Sequence, residues 1–113
     1  MDLHLVDPSE VPVPPDEVRI RGLRVEPLPD GRRIKVSLDL TPFQQPPTLD
    51  LVVMGAGGVE AASTTIIEPY APKMSLTLHL REPDPNGLYS LRVDLVYPDG
   101  PSPDTRETSF RTT

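Results

Sequence analysis

The chain has 113 residues, no cysteine and sixteen prolines, and its eleven basic against seventeen acidic residues give a formal net charge of −6. The missing cysteines exclude disulfides, thiolate metal sites, iron–sulfur clusters and cysteine nucleophiles, and the acidic balance opposes the polyanionic backbone of nucleic acid. Prolines at this density exclude a helical protein, because each removes a backbone donor and costs ~3 kcal/mol in a helix interior.

The length fits one domain. Residues 1–16 are rich in proline and acid, with Val11 and Val13 set among Pro8, Pro12, Pro14 and Pro15, and read as an extended arm outside the core. The opening residues Met1 to Pro8 carry no basic leader, and no stretch approaches the ~18 apolar residues of a membrane span. The expectation is a cytoplasmic protein or a domain of a longer chain, with neither membrane nor nucleic acid as partner.

Strands begin at Val18. Val18 and Ile20 share one parity and Leu23 and Val25 the other, with Gly22 between them, so the first strand is predicted to bulge or bend there. Pro27 to Gly31 makes a turn, and Ile34, Val36, Leu38 and Leu40 define a second strand with Arg33, Lys35, Ser37 and Asp39 outward. After a loop from Pro42 to Pro47, residues 49–54 are apolar on both parities, the pattern of a central or partner-covered strand. Gly55-Ala56-Gly57-Gly58 turns the chain into a weaker fourth strand over 59–67.

Met74, Leu76, Leu78 and Leu80 alternate with Ser75, Thr77, His79 and Arg81 in a fifth strand. The turn Asp84-Pro85-Asn86-Gly87 follows, and Tyr89, Leu91, Val93, Leu95 and Tyr97 then hold a period of two through the sixth strand. A last, thinly apolar strand runs from Thr105 to Thr112 and carries Phe110. Seven strands with turns at short intervals predict an all-β, seven-stranded antiparallel sandwich over 17–113, with the fourth and seventh strands at its edges.

A tyrosine just past a proline/glycine corner resembles the tyrosine corner of immunoglobulin-type sandwiches, whose hydroxyl bonds back to upstream backbone. Tyr89 is therefore assigned a structural corner role. Two stretches together resemble a fibronectin type III domain. The first is Ile34-Lys35-Val36-Ser37-Leu38 with Pro42 after it, and the second runs from Leu78 through the corner and Tyr89-Ser90-Leu91-Arg92-Val93 to Gly100-Pro101-Ser102. The resemblance covers nearly all of 17–112. It implies a spacer or binding module and carries no catalytic residue with it.

The residues themselves offer little chemistry. His4 falls in the arm and His79 on an outward parity, no serine sits in a glycine-flanked elbow, and the Gly55–Gly58 run is followed by neither a helix nor a nearby lysine. No catalytic, cofactor-binding or metal residue is assigned, and no cofactor is expected. Val52, Met54 and Val96 are apolar on outward parities and form the candidate interaction patch, for a protein partner or a homodimer. The alternative is a ligand-binding accessory domain. It would bind calcium at Glu82 and Asp84 to Gly87, carbohydrate at Tyr70 or Phe43, or a ligand among the loops at Phe43, Gly55–Gly58 and Tyr97–Pro101.

Overall fold

The computed structural model describes residues 10–84 and 87–112. Among them seven strands form: β1 (Ile20–Pro27), β2 (Arg33–Leu40), β3 (Thr48–Met54), β4 (Glu60–Ile67), β5 (Lys73–His79), β6 (Leu88–Val96) and β7 (Asp104–Arg111). They pair antiparallel into a three-stranded sheet, β1-β2-β5, and a four-stranded sheet, β4-β3-β6-β7. This is an immunoglobulin-like sandwich, in agreement with the all-β expectation.

Period-two patterning builds the core directly. Ile34, Val36, Leu38 and Leu40 from β2 face Leu49, Leu51 and Val53 from β3 and Leu91, Val93 and Leu95 from β6, each at most 2% exposed. Burial of such side chains contributes ~1.5–3 kcal/mol apiece, so these three strands carry most of the apolar stabilisation. The two-sided apolar pattern of β3 places it inside its sheet, between β4 and β6. The weakly apolar fourth and seventh strands are that sheet's edges.

The phase slip in the first strand is a bulge. Ile20 pairs with Leu40 while Gly22 pairs with Asp39, so Arg21 is the extra residue. The slip lets Val18 and Ile20, at 0% and 1% exposure, face the core before the bulge, and half-buried Leu23 and Val25 after it. Beside the bulge the Ile20 N–H donates to Asp104 Oδ2 at 2.9 Å, which ties the start of β1 to β7 in the opposite sheet.

The described part of the arm, from Glu10 onward, runs along the β2–β3 loop. Val13 forms a parallel bridge with Phe43, with the Val13 N–H on the Pro42 carbonyl and the Gln44 N–H on the Val13 carbonyl, both at 3.0 Å. Val13 and Phe43 are half-buried against the core. A 3-10 turn, Pro15–Glu17, then leads into β1.

Candidate functional site

At one end of the sandwich, the β3–β4 and β5–β6 loops meet around Tyr89. Its hydroxyl accepts a hydrogen bond from the Asp84 N–H at 2.9 Å, five residues upstream. Its ring is 5% exposed and stacks on Phe110 with centroids 5.5 Å apart and planes at 13°. Two glycines give the ring room. A Cβ on Gly55 would stand 3.2 Å from Tyr89 Cε1, and one on Gly87 would stand 3.0 Å from Cε2 and 2.8 Å from the Asp84 carbonyl.

Thr112 completes the corner. Its hydroxyl donates to the Asp84 carbonyl at 2.6 Å and accepts from the Gly87 N–H at 3.1 Å, while its own N–H donates to the Gly87 carbonyl at 3.1 Å. It is 4% exposed, the one buried polar side chain among the described residues. Nothing in the thinly apolar last strand signals this role, because a threonine there reads as ordinary strand surface.

A shallow depression beside the corner is lined by Gly55, Glu60, Arg81, Glu82, Asp84 and Tyr89. Arg81 and Glu60 pair across it at 2.8 Å. Glu82 holds φ +46, a left-handed conformation that a non-glycine residue adopts at some cost. Of the expected calcium loop, Pro85 and Asn86 lie outside the described residues. Among those described, no three acidic or histidine side chains gather as ligands.

The opposite end is closed by Tyr97, whose hydroxyl donates to the Gln45 carbonyl at 2.8 Å and whose N–H donates to the Pro101 carbonyl at 2.9 Å. Burial raises its phenol pKa above the usual 10.0. Phe43 lies at this end, and Gly55–Gly58 lies at the other. The register that opposes Thr48 to Val96 and Met54 to Ser90 puts the length of β3, roughly 20 Å, between them. The expected three-loop ligand site therefore does not assemble. Phe43 also packs against the core instead of standing at a loop tip.

Val52, Met54 and Val96 are half-buried on the outer face of the four-stranded sheet, but they do not form one patch. Val52 stands opposite Ser63 and Arg92, Met54 opposite Glu60 and Ser90, and Val96 opposite Thr48. Between Val52 and Val96 lies a polar row in which Asp50 and Asp94 oppose each other. Like charges so placed repel, and hydroxyl donors offset the repulsion: Thr65 bonds Asp50 at 2.8 Å and Thr105 bonds Asp94 at 2.7 Å. Arg92 Nε adds a 3.1 Å contact to Asp94.

His79 is exposed on β5, and His4 lies outside the described residues. Of the chain's three tyrosines and two phenylalanines, Tyr70 alone is exposed, at 106%, in the β4–β5 loop. A lone ring offers one stacking surface, not a platform.

No protein-family model matches the sequence, and no curated protein matches it. Among solved structures the chain is similar to part of Parabacteroides merdae β-glucuronidase, with a TM-score of 0.67 and 18% identity over 85% of this chain and 14% of that one. It is similar also to part of Bifidobacterium dentium β-glucuronidase in complex with coumarin-3-O-glucuronide, with a TM-score of 0.63 and 15% identity over 84% of this chain and 18% of that one. A shorter neighbour is the sensor domain of the anti-sigma factor RsgI4 from Pseudobacteroides cellulosolvens, with a TM-score of 0.50 and 16% identity over 85% of this chain and 74% of that one. The chain thus spans under a fifth of the two enzymes it resembles. At these identities the likeness is one of fold: two packed antiparallel sheets of the immunoglobulin-like class.

Proposed function

We propose that this chain is a non-catalytic β-sandwich module of the fibronectin type III kind, a spacer or accessory unit comparable to the sandwich segments within larger glycoside hydrolases. One observation carries the reading. At both ends of the sandwich, where loops would hold reactive groups, the hydroxyls of Tyr89, Thr112 and Tyr97 are each spent on fixing loop backbone. A site for chemistry needs a nucleophile or acid/base pair free to meet a substrate; here the three hydroxyls stiffen the ends instead, as suits a unit that holds its neighbours at a set distance.

The family name is supported by the fourth strand. In the constant-type immunoglobulin arrangement the fourth strand joins the sheet of the first, second and fifth. Here β4 pairs with β3 in the other sheet, and the Tyr89 corner accompanies it. The matched segments of the two β-glucuronidases support the accessory role as an analogy of fold.

The test is to offer the isolated chain a panel of aryl glycosides, glucuronides included, and aryl esters. The expected result is no turnover above background together with one cooperative melting transition. Turnover that survives repurification and disappears in Glu82→Gln or Asp84→Asn would overturn the reading.

A further inference from the structure

Three turns of this chain carry an acid or amide side chain directly before a glycine: Pro29-Asp30-Gly31, Pro85-Asn86-Gly87 and Pro98-Asp99-Gly100. The pairing is chemically reactive, because glycine has no side chain to keep its backbone nitrogen away from the γ-carbon of the residue before it. Attack by that nitrogen closes a succinimide ring, and water reopens the ring at either carbonyl. What decides whether a pair reacts is how firmly the fold holds the two groups apart.

The three pairs are held differently. At Asp30 the carboxylate accepts bonds from the Arg32 N–H at 2.9 Å, the Arg33 N–H at 3.1 Å and Arg33 Nε at 2.6 Å. Those donors fix the side chain on groups beyond Gly31 and keep it ionised, and a carboxylate is a poor electrophile. At Gly87 the nitrogen is the group held, shared between the Asp84 carbonyl at 2.9 Å and the Thr112 hydroxyl at 3.1 Å; Asn86 itself lies outside the described residues. Asp99 is exposed, and among the described residues no hydrogen bond or ion pair holds its carboxylate. The Gly100 nitrogen makes one bond, to the Tyr97 carbonyl at 2.8 Å, in an exposed turn of the kind that opens at little cost.

We propose that Asp99-Gly100 is a modification site at which Asp99 converts spontaneously to isoaspartate. The Gly100 nitrogen bonds to Asp99 Cγ, and the carboxyl hydroxyl leaves with the nitrogen's proton as water. A second water then adds at the Asp99 α-carbonyl carbon, and the bond from that carbon to the Gly100 nitrogen breaks. The chain now runs through Cβ and Cγ, the α-carboxylate is free, and no oxidant, reductant or cofactor has taken part. The backbone gains a methylene inside a turn closed by the Gly100 N–H on the Tyr97 carbonyl and the Tyr97 N–H on the Pro101 carbonyl at 2.9 Å. Conversion therefore loosens the end of the sandwich that Tyr97 closes.

This goes beyond the accessory-module reading and does not depend on it. The test is incubation of the native chain in heavy-oxygen water at neutral pH. Each succinimide that reopens takes up one heavy oxygen, and peptide mapping with fragmentation assigns the label to a residue. Freeing Asp30 requires breaking at least one charge-assisted bond, which corresponds to about tenfold or more in rate, so Asp99 is expected to label at least about tenfold faster than Asp30. A Cβ on Gly100 would stand 3.4 Å from Tyr97 Cβ, an ordinary contact, and Gly100 has no positive φ that demands glycine. Gly100→Ala should therefore keep the native melting midpoint while cutting uptake at Asp99 to the level of Asp30. Label at Asp99 no faster than at Asp30, or uptake at Asp99 unchanged in Gly100→Ala, would overturn the proposal.

Discussion

Removing one oxygen atom isolates the contribution of the corner. In Tyr89→Phe the ring keeps its stack on Phe110 and its burial, and only the bond from the Asp84 N–H to the hydroxyl is lost. A neutral hydrogen bond of this kind contributes ~0.5–1.5 kcal/mol net, and stranding a part-buried donor moves the loss towards the upper end of that range. We therefore expect a loss of about 1–1.5 kcal/mol. A domain of 113 residues unfolds with an entropy of ~0.24 kcal/mol/K, at about 2.1 cal/mol/K per residue, so the midpoint should fall by about 4–6 °C. Differential scanning calorimetry with a urea titration measures both quantities, and the urea slope should stay constant because no surface is newly exposed. A midpoint within about 1 °C of the native value would refute the reasoning, since the smallest loss in the range would move it further.

Three further outcomes follow from the same geometry. Gly87→Ala drives a Cβ to 2.8 Å from the Asp84 carbonyl and 3.0 Å from the Tyr89 ring, and overpacking of this sort costs ~1–3 kcal/mol; an unchanged urea midpoint would show that the corner yields freely. Thr112→Val keeps the shape but removes two bonds, the one to the Asp84 carbonyl, which keeps only the Gly87 N–H, and the one from the Gly87 N–H, so it should cost at least as much as Tyr89→Phe, about 1–2 kcal/mol. A smaller cost than that of Tyr89→Phe would contradict this ranking. Asp30 accepts bonds from the Arg32 N–H and the Arg33 side chain and N–H, which lower its pKa from 3.8 to about 2. A depressed carboxyl pKa stabilises the fold above the unfolded value and ceases to do so as pH falls through the folded one. The stability gap between native and Asp30→Asn protein should therefore close between about pH 4 and pH 2, and a gap that persists unchanged at pH 2 would argue against the assignment.

Much of the fold is legible in the sequence because burial on one face imposes a period of two, and β2, β5 and β6 keep that period without interruption. The bulge in β1 is legible for the same reason, since Gly22 marks where Val18 and Ile20 change parity with Leu23 and Val25. What sequence alone leaves open is register between strands far apart in the chain. Val52 and Val96 share a face, yet only pairing tells that the Asp50–Asp94 row comes between them. Loop grouping suffers likewise, for Phe43 and Gly55 lie twelve positions apart but at opposite ends of the sandwich, because β3 crosses it in between. Thr112 and Asp104 were beyond reach for another reason. Their bonds go to backbone groups of Asp84, Gly87 and Ile20, and backbone partners leave no mark on residue type.

The glycines divide along the same line. Gly55 and Gly87 read as turn residues, and they do sit in turns. Their tighter constraint is the ring of Tyr89, which a Cβ at either position would approach to 3.2 Å or less. The corner is thus a joint product of four segments: the β3–β4 loop, the β5–β6 turn, the start of β6 and the residue after β7. This explains how a domain without a disulfide fixes that end of the sandwich.

The central claim is a three-plus-four sandwich in which β4 extends the β3 sheet and leaves its other edge open. Residue-resolved amide hydrogen exchange on dilute, monomeric protein tests it directly. Amides along β3 and β6, where both neighbours pair, should be protected, whereas along β4 beyond its bulge protection should alternate, with every second amide from Ala62 to Ile67 exchanging fast. Unbroken protection along β4 in the monomer, or alternating protection along β3, would contradict the account.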